Sequence, residues 1–112
     1  MTSKLKNIPQ SNRELLLRAD NCTIAGQYEQ AEEHYKKILT LTPSCADAWI
    51  GLGVLALQQN QLQAAEEAFR QALESDPSCW TGWTGLALLY NLQGDKEKAF
   101  QALEQAKINS LP

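Results

Sequence analysis

The chain has 112 residues, 44% of them hydrophobic and 21% charged, with ten basic residues against thirteen acidic ones for a net charge of -3. That length is one domain by the usual size prior and can bury about two-thirds of its unfolded surface. The composition excludes a disordered or low-complexity chain, and the mild acidity disfavours phosphate backbones and anionic membranes, so neither nucleic acid nor a membrane is expected as a partner.

Residues 1–11 carry Lys4 and Lys6, and no apolar signal-peptide core follows them. They are read as an N-terminal leader, partly disordered, ahead of a single domain over 12–112. No apolar run approaches the ~18 residues of a membrane-spanning helix. Cys22, Cys45 and Cys79 are odd in number and not closely paired, which fits no disulfide framework. A cytoplasmic location is the expectation.

The domain repeats itself. Pro43 and Pro77 lie 34 residues apart in matching Pro-Ser-Cys triplets. The same shift lays Trp49 on Trp83 and Leu52 on Leu86, and aligns Ala31, Ala65 and Ala99, then Tyr35, Phe69 and Leu103, then Gly26, Asn60 and Gly94. The units run 12–45, 46–79 and 80–112. Within the second, Trp49, Leu52, Gly53 and Ala56 form one helical stripe and Leu62, Ala65, Phe69 and Ala72 another. Asn60 stands between them where a helix end favours a residue tolerant of the left-handed conformation, as Gly26 and Gly94 do in the other units. Pro43 and Pro77 stop the second helices, and Ser44 and Ser78 are candidate caps for the helices that follow. Each unit is a helix–turn–helix, giving six antiparallel helices and no strand.

These residues resemble the tetratricopeptide repeat family, whose signature is Trp, Leu-Gly, Tyr, Ala, Phe and a closing Pro. The second unit carries Trp49, Leu52-Gly53, Ala65, Phe69, Ala72 and Pro77, with Ala56 at the aromatic place. The third carries Trp83, Leu86-Ala87, Tyr90, Ala99, Leu103 and Ala106, and the first Leu15, Arg18-Ala19, Cys22, Ala31, Tyr35 and Pro43. The resemblance implies an all-α, right-handed solenoid. Small residues let the helices of a hairpin approach, and Trp49, Phe69, Trp83 and Tyr90 fill the space between hairpins. About three units is the usual minimum, because one hairpin cannot bury its own apolar face.

Nothing in the chain assembles a catalytic constellation, and no enzyme activity, cofactor or metal is expected. His34 lies among Glu32, Glu33, Lys36 and Lys37, without a nucleophile to serve. No cysteine has metal-ligand spacing. Cys45 and Cys79 sit one repeat apart, about 10 Å by helix packing and beyond disulfide reach. The glycines of Gly51-Leu52-Gly53 lie inside a helix, not after a strand, so they cradle no phosphate. Glu32 with Lys36, Glu33 with Lys37, and Glu66 with Arg70 read as surface pairs on solvated faces.

The resemblance also implies a concave surface lined by the first helices, which takes a peptide or helix. The facing rows are Leu16, Ile50 and Thr84; then Asp20, Val54 and Leu88; then Thr23, Leu57 and Asn91, with Leu17, Gly51 and Gly85 between the first two rows. This lining is largely apolar, and Gly51 and Gly85 are expected to leave room for a close approach. Exposed contiguous apolar surface marks an interaction site. The chaperone co-factors of this family clamp a terminal carboxylate with Lys, Asn and Arg. Here the matching places hold Leu16, Asp20, Gly51, Thr81 and Gly85, and no such clamp is expected.

Lys96 and Lys107 replace the Tyr28/Leu62 and Leu39/Leu73 pairs, which favours a short independent array, while Phe100 replaces Glu32 and Glu66. The expected function is a protein-interaction adaptor that binds apolar side chains of a peptide or helix in its groove. A recruitment segment of a larger enzyme such as a transferase, a self-assembling repeat unit joined through the groove or last helix, and a terminal segment folded over the groove remain as alternatives. All three thiols should stay reduced and metal-free; mass spectrometry of purified protein in mild reductant should find no stoichiometric zinc and no internal disulfide.

Overall fold

The computed structural model describes the backbone of residues 2–111 and the side chains of residues 12–111. Among the described residues there are six helices and no strand: α1 (Thr2–Ile24), α2 (Tyr28–Leu41), α3 (Ala46–Gln58), α4 (Leu62–Ser75), α5 (Trp80–Leu92) and α6 (Lys96–Ser110). They pair as three hairpins, α1 with α2, α3 with α4 and α5 with α6. The backbone of α1 begins at Thr2, ahead of the expected repeat boundary. The leader expected over 1–11 falls, for Met1 and for the side chains that follow, outside the described residues.

The turns of the three hairpins share one motif. Gly26, Asn60 and Gly94 have φ of 81°, 60° and 82°, the left-handed conformation expected at those places. In each, the next amide reaches back five residues: Gln27 N donates to the Cys22 carbonyl at 2.8 Å, Gln61 N to Ala56 at 2.8 Å and Asp95 N to Tyr90 at 2.9 Å. These bonds satisfy the last carbonyls of the first helices. The prolines act one residue earlier than their own position. Thr42 and Asp76, each preceding a proline, are forced out of the helical region to φ of -138° and -146°, and the second helices end at Leu41 and Ser75.

The expected serine caps are corrected. The capping positions of α3 and α5 are Cys45 and Cys79, with no side-chain cap bond. Ser78 instead gives its backbone N–H and hydroxyl to Asp76 Oδ1 at 3.1 and 2.7 Å, closing a turn around Pro77. The turn places the helix start one residue beyond the serine. Asp95 does cap α6, accepting from Lys98 N at 3.1 Å.

The interior divides into two clusters that follow the repeat. One gathers Ala19, Ala31, Tyr35, Ile38, Ala48 and Leu55; the other gathers Ala65, Phe69, Leu86, Leu89 and Ala102 with close neighbours. The alanine column meets expectation: Ala31 and Ala65 are fully buried and Ala99 nearly so. Between hairpins the stack is joined by rings laid on glycines. A Cβ on Gly51 would stand 2.2 Å from the Tyr35 ring, and one on Gly85 would stand 2.4 Å from Phe69. Phe69 also covers Gly53 of its own hairpin, where a Cβ would be 2.5 Å away. The room that Gly51 and Gly85 were expected to offer a partner is therefore filled from inside the chain.

Two substitutions test this packing. Ala65→Leu should overpack the α3–α4 contact and cost about 1–3 kcal/mol, read as a lower denaturation midpoint. Gly51→Ala would gain about 1 kcal/mol in an exposed helix. Here the added methyl meets the buried Tyr35 ring, and we expect a net loss of about 1–3 kcal/mol; a raised midpoint would show that the ring moves aside freely.

Candidate functional site

Contacts between helices fix the curvature. α1 touches α3 and α3 touches α5, whereas among the described residues α2, α4 and α6 do not touch one another. A stack with one layer closed and the other splayed bends towards the closed layer. The first helices therefore line the concave side, and the described residues extend over 53 × 33 × 19 Å.

Of the residues expected on that side, Leu17, Val54 and Leu88 are exposed at 64%, 38% and 52%. Asp20, Thr84 and Asn91 are exposed and polar. Leu16, Ile50 and Leu57 are half-buried. Leu16 packs against the first core cluster and Ile50 and Leu57 against the second, so these three serve the joints between hairpins as well as the surface. Thr23, from the third row, is buried and returns its hydroxyl to the Ala19 carbonyl at 3.0 Å. Leu17 is the one member of its row with a side chain on offer, since Gly51 and Gly85 lie under rings.

Two apolar residues were missed. Ile24 and Leu92 are exposed at 83% and 58% at the ends of α1 and α5. They align with each other and with Gln58 through the 34-residue shift, and applying that shift one residue further would have found them.

The acidic residue of the concave side is linked to the second helix of its own hairpin. Asp20 accepts a hydrogen bond from the Tyr35 hydroxyl. Burial first, and then that bond, push the tyrosine far above its ordinary value. Its contribution to stability is complete below about pH 10 and is lost as pH rises beyond that.

The convex side is different in kind. Where second helices splay, mixed polar and apolar clefts open, one of about 520 Å³ between α2 and α4 over Trp49 and Ala56, and one of about 670 Å³ between α4 and α6 over Trp83. Trp49 is anchored by Nε1 donating to the Pro43 carbonyl at 3.0 Å. Glu66 is more than a solvated surface charge. Its Oε2 accepts from Arg70 Nη2 at 2.8 Å and from the Tyr90 hydroxyl at 3.3 Å, linking α4 to α5. The bond from Glu66 raises the Arg70 pKa, and burial raises that of Tyr90. The expected pair of Glu32 and Lys36 forms at 3.1 Å. His34 is half-buried. No group of metal-ligating side chains occurs among the described residues, where the cysteines are free thiols. No helix among the described residues is long and apolar enough to cross a membrane.

Comparison with solved structures finds the same architecture elsewhere. The type III secretion translocator chaperone SycD of Yersinia enterocolitica matches with a TM-score of 0.82 at 19% identity, over 89% of this chain and 76% of that one. The TPR domain of Sgt2 from Aspergillus fumigatus gives 0.82 at 19% identity, over 89% of this chain and 66% of that one. MamA gives 0.74 at 27% identity, over 94% of this chain and 61% of that one. At these identities the likeness is one of fold: an all-α solenoid of three helix-turn-helix repeats. No protein of curated function matches by sequence. The family model for the middle TPR-like domain of cilia and flagella-associated protein 70 matches residues 16–108, nearly the whole array. The chain belongs to that family of tetratricopeptide-like domains.

Proposed function

We propose that the chain is a non-catalytic protein-interaction adaptor that holds a peptide or helix of a partner protein against apolar side chains on its concave side. The observation that carries this reading is the exposure of Leu17, Val54 and Leu88 on the three helices of one continuous wall. Exposed aliphatic groups so aligned gain by leaving water, at about 25 cal/mol per Å². Tetratricopeptide-like domains are in general interaction modules, and SycD is a type III secretion translocator chaperone, which agrees with the reading.

Val54→Glu tests it. At 38% exposure the new carboxylate can stay hydrated in the free protein, so folding should hardly change. In the complex it would be desolvated and unpaired, and affinity for a partner recovered by affinity capture should fall about tenfold or more. Wild-type binding should depend weakly on salt. Glu33→Ala, exposed on α2, is the control and should bind normally; Glu66 is unsuited because it bonds to Tyr90. A folded Val54→Glu variant with unchanged affinity sinks the proposal.

A further inference from the structure

The convex clefts over Trp49 and over Trp83 are the same place in successive repeats, and they differ in what stands at their centre. Trp49, Leu52 and Ala68 line the first, and the residues 34 positions on, Trp83, Leu86 and Ala102, line the second. In the second, Tyr90 of α5 bridges α4 and α6. Its hydroxyl accepts from Arg70 Nη2 at 3.0 Å and donates to Glu66 Oε2 at 3.3 Å. Lys98 Nζ stands 5.6 Å from the centre of its ring. One period earlier, Ala56 holds the place of the ring and Ala64 that of the lysine. The polar partners stay. Glu32 and Lys36 of α2, in the places of Glu66 and Arg70, form the same ion pair, at 3.1 Å against 2.8 Å.

The place of the ring is open in the first cleft. That cleft reaches Leu55 and Gln59 of α3, whereas Leu89 and Gln93, one period later, do not line the second. The second cleft is larger, about 670 Å³ against about 520 Å³, and lies outside Tyr90; the first runs in to the floor beneath. Without a ring beside it, the Glu32 side chain is 49% exposed, against 30% for Glu66. An indole wall, an alanine floor and a carboxylate–ammonium pair at the mouth suit an aromatic ring that carries a neutral hydroxyl, which can donate to the one and accept from the other. Glu67, in the place of Gln101, adds a second carboxylate at the mouth and turns away anionic rings.

We propose that this cleft binds a small free phenol, its ring over Ala56 beside Trp49 and its hydroxyl donating to Glu32 and accepting from Lys36, as Tyr90 does with Glu66 and Arg70. The orientation sets the specificity. The carbon para to the tyrosine hydroxyl is the one bonded to Cβ, so in the bound phenol the para carbon points in at the Ala56 methyl. A contact there replaces a bond, which seats the ring about 2 Å farther out; Glu32 and Lys36, both exposed, can follow it. No room remains for a para substituent, whereas ortho and meta substituents lead sideways along the cleft. A tyrosine carries its backbone at the para carbon, so no polypeptide, this one or another, can supply the ring in this orientation.

The test titrates the full chain with phenol, m-cresol, p-cresol and toluene, and follows the amide resonances of Ala56 and Ala64 and the indole N–H of Trp49 by nuclear magnetic resonance. Phenol and m-cresol should bind with a Kd of about 1 mM, within reach of so few atoms. Toluene, which lacks the hydroxyl, and p-cresol, which matches m-cresol in size and polarity, should each bind at least about threefold more weakly. Glu32→Ala should bring m-cresol down to the level of toluene. Ala56→Gly removes the methyl that faces the para carbon and should reverse the order of the two cresols. Ala56→Tyr should abolish binding and raise the denaturation midpoint, since the chain then supplies its own ring. Val54→Glu, on the concave side, should change nothing, so this site stands or falls apart from the concave one. Absence of any shift with phenol, p-cresol binding as tightly as m-cresol, a tyrosine pentapeptide that matches m-cresol, or an unchanged m-cresol affinity in Glu32→Ala overturns the proposal.

Discussion

A ring on a glycine holds this molecule together. Tyr35 lies over Gly51 and Phe69 over Gly85, at separations that leave no space for even a methyl group. The contact draws each first helix in towards the preceding hairpin. The first helices consequently touch in sequence while the second helices stand apart, and the curved shape follows. So does the division of the surface into a closed, aliphatic inner wall and an outer side with clefts over Trp49 and Trp83. Phe69 touches Gly53 of its own hairpin as well as Gly85 of the next. One side chain thus closes a hairpin and joins two.

The period of 34 made much of this legible. Turns were readable because glycine and asparagine are the residues that accept positive φ without strain, and Gly26, Asn60 and Gly94 could serve little else. The alanine columns were readable because a buried close contact admits only a small side chain. What fills the space above a glycine was not readable. The ring above Gly51 or Gly85 comes from a residue sixteen positions earlier, on another helix, and a bare glycine gives the same signal whether its gap awaits a partner or is already closed. The serine caps failed for a more local reason: the turn around each proline consumes one more residue before the helix starts.

On the candidate surface the sequence could assign faces and not degrees of burial. With 3.6 residues per turn, the stripe that meets the neighbouring hairpin and the stripe that meets solvent overlap along their shared edge. Ile50 and Leu57 fall on that edge and are half-buried; Val54, between them in sequence, falls clear of it. Polar tethers were equally hidden, since a carboxylate gives no sign of whether it meets water or a hydroxyl. Asp20 receives Tyr35 from α2, and Glu66 receives Tyr90 from α5. Each tether engages a charge that spacing alone assigns to solvent.

A stack of this kind is stabilised joint by joint, each depending only on its two neighbours. The two internal joints pair an aromatic ring with a glycine and are flanked by leucine, isoleucine or tyrosine. The outer face of repeat three keeps the geometry of such a joint with weaker parts: Leu103 in place of a ring, Thr84 in place of Ile50, Asn91 in place of Leu57, and lysines at two corners. Phe100 stands where repeat two has Glu66, whose carboxylate accepts from Tyr90 across the α4–α5 joint, so the third repeat carries an exposed ring where the second has a polar link between hairpins.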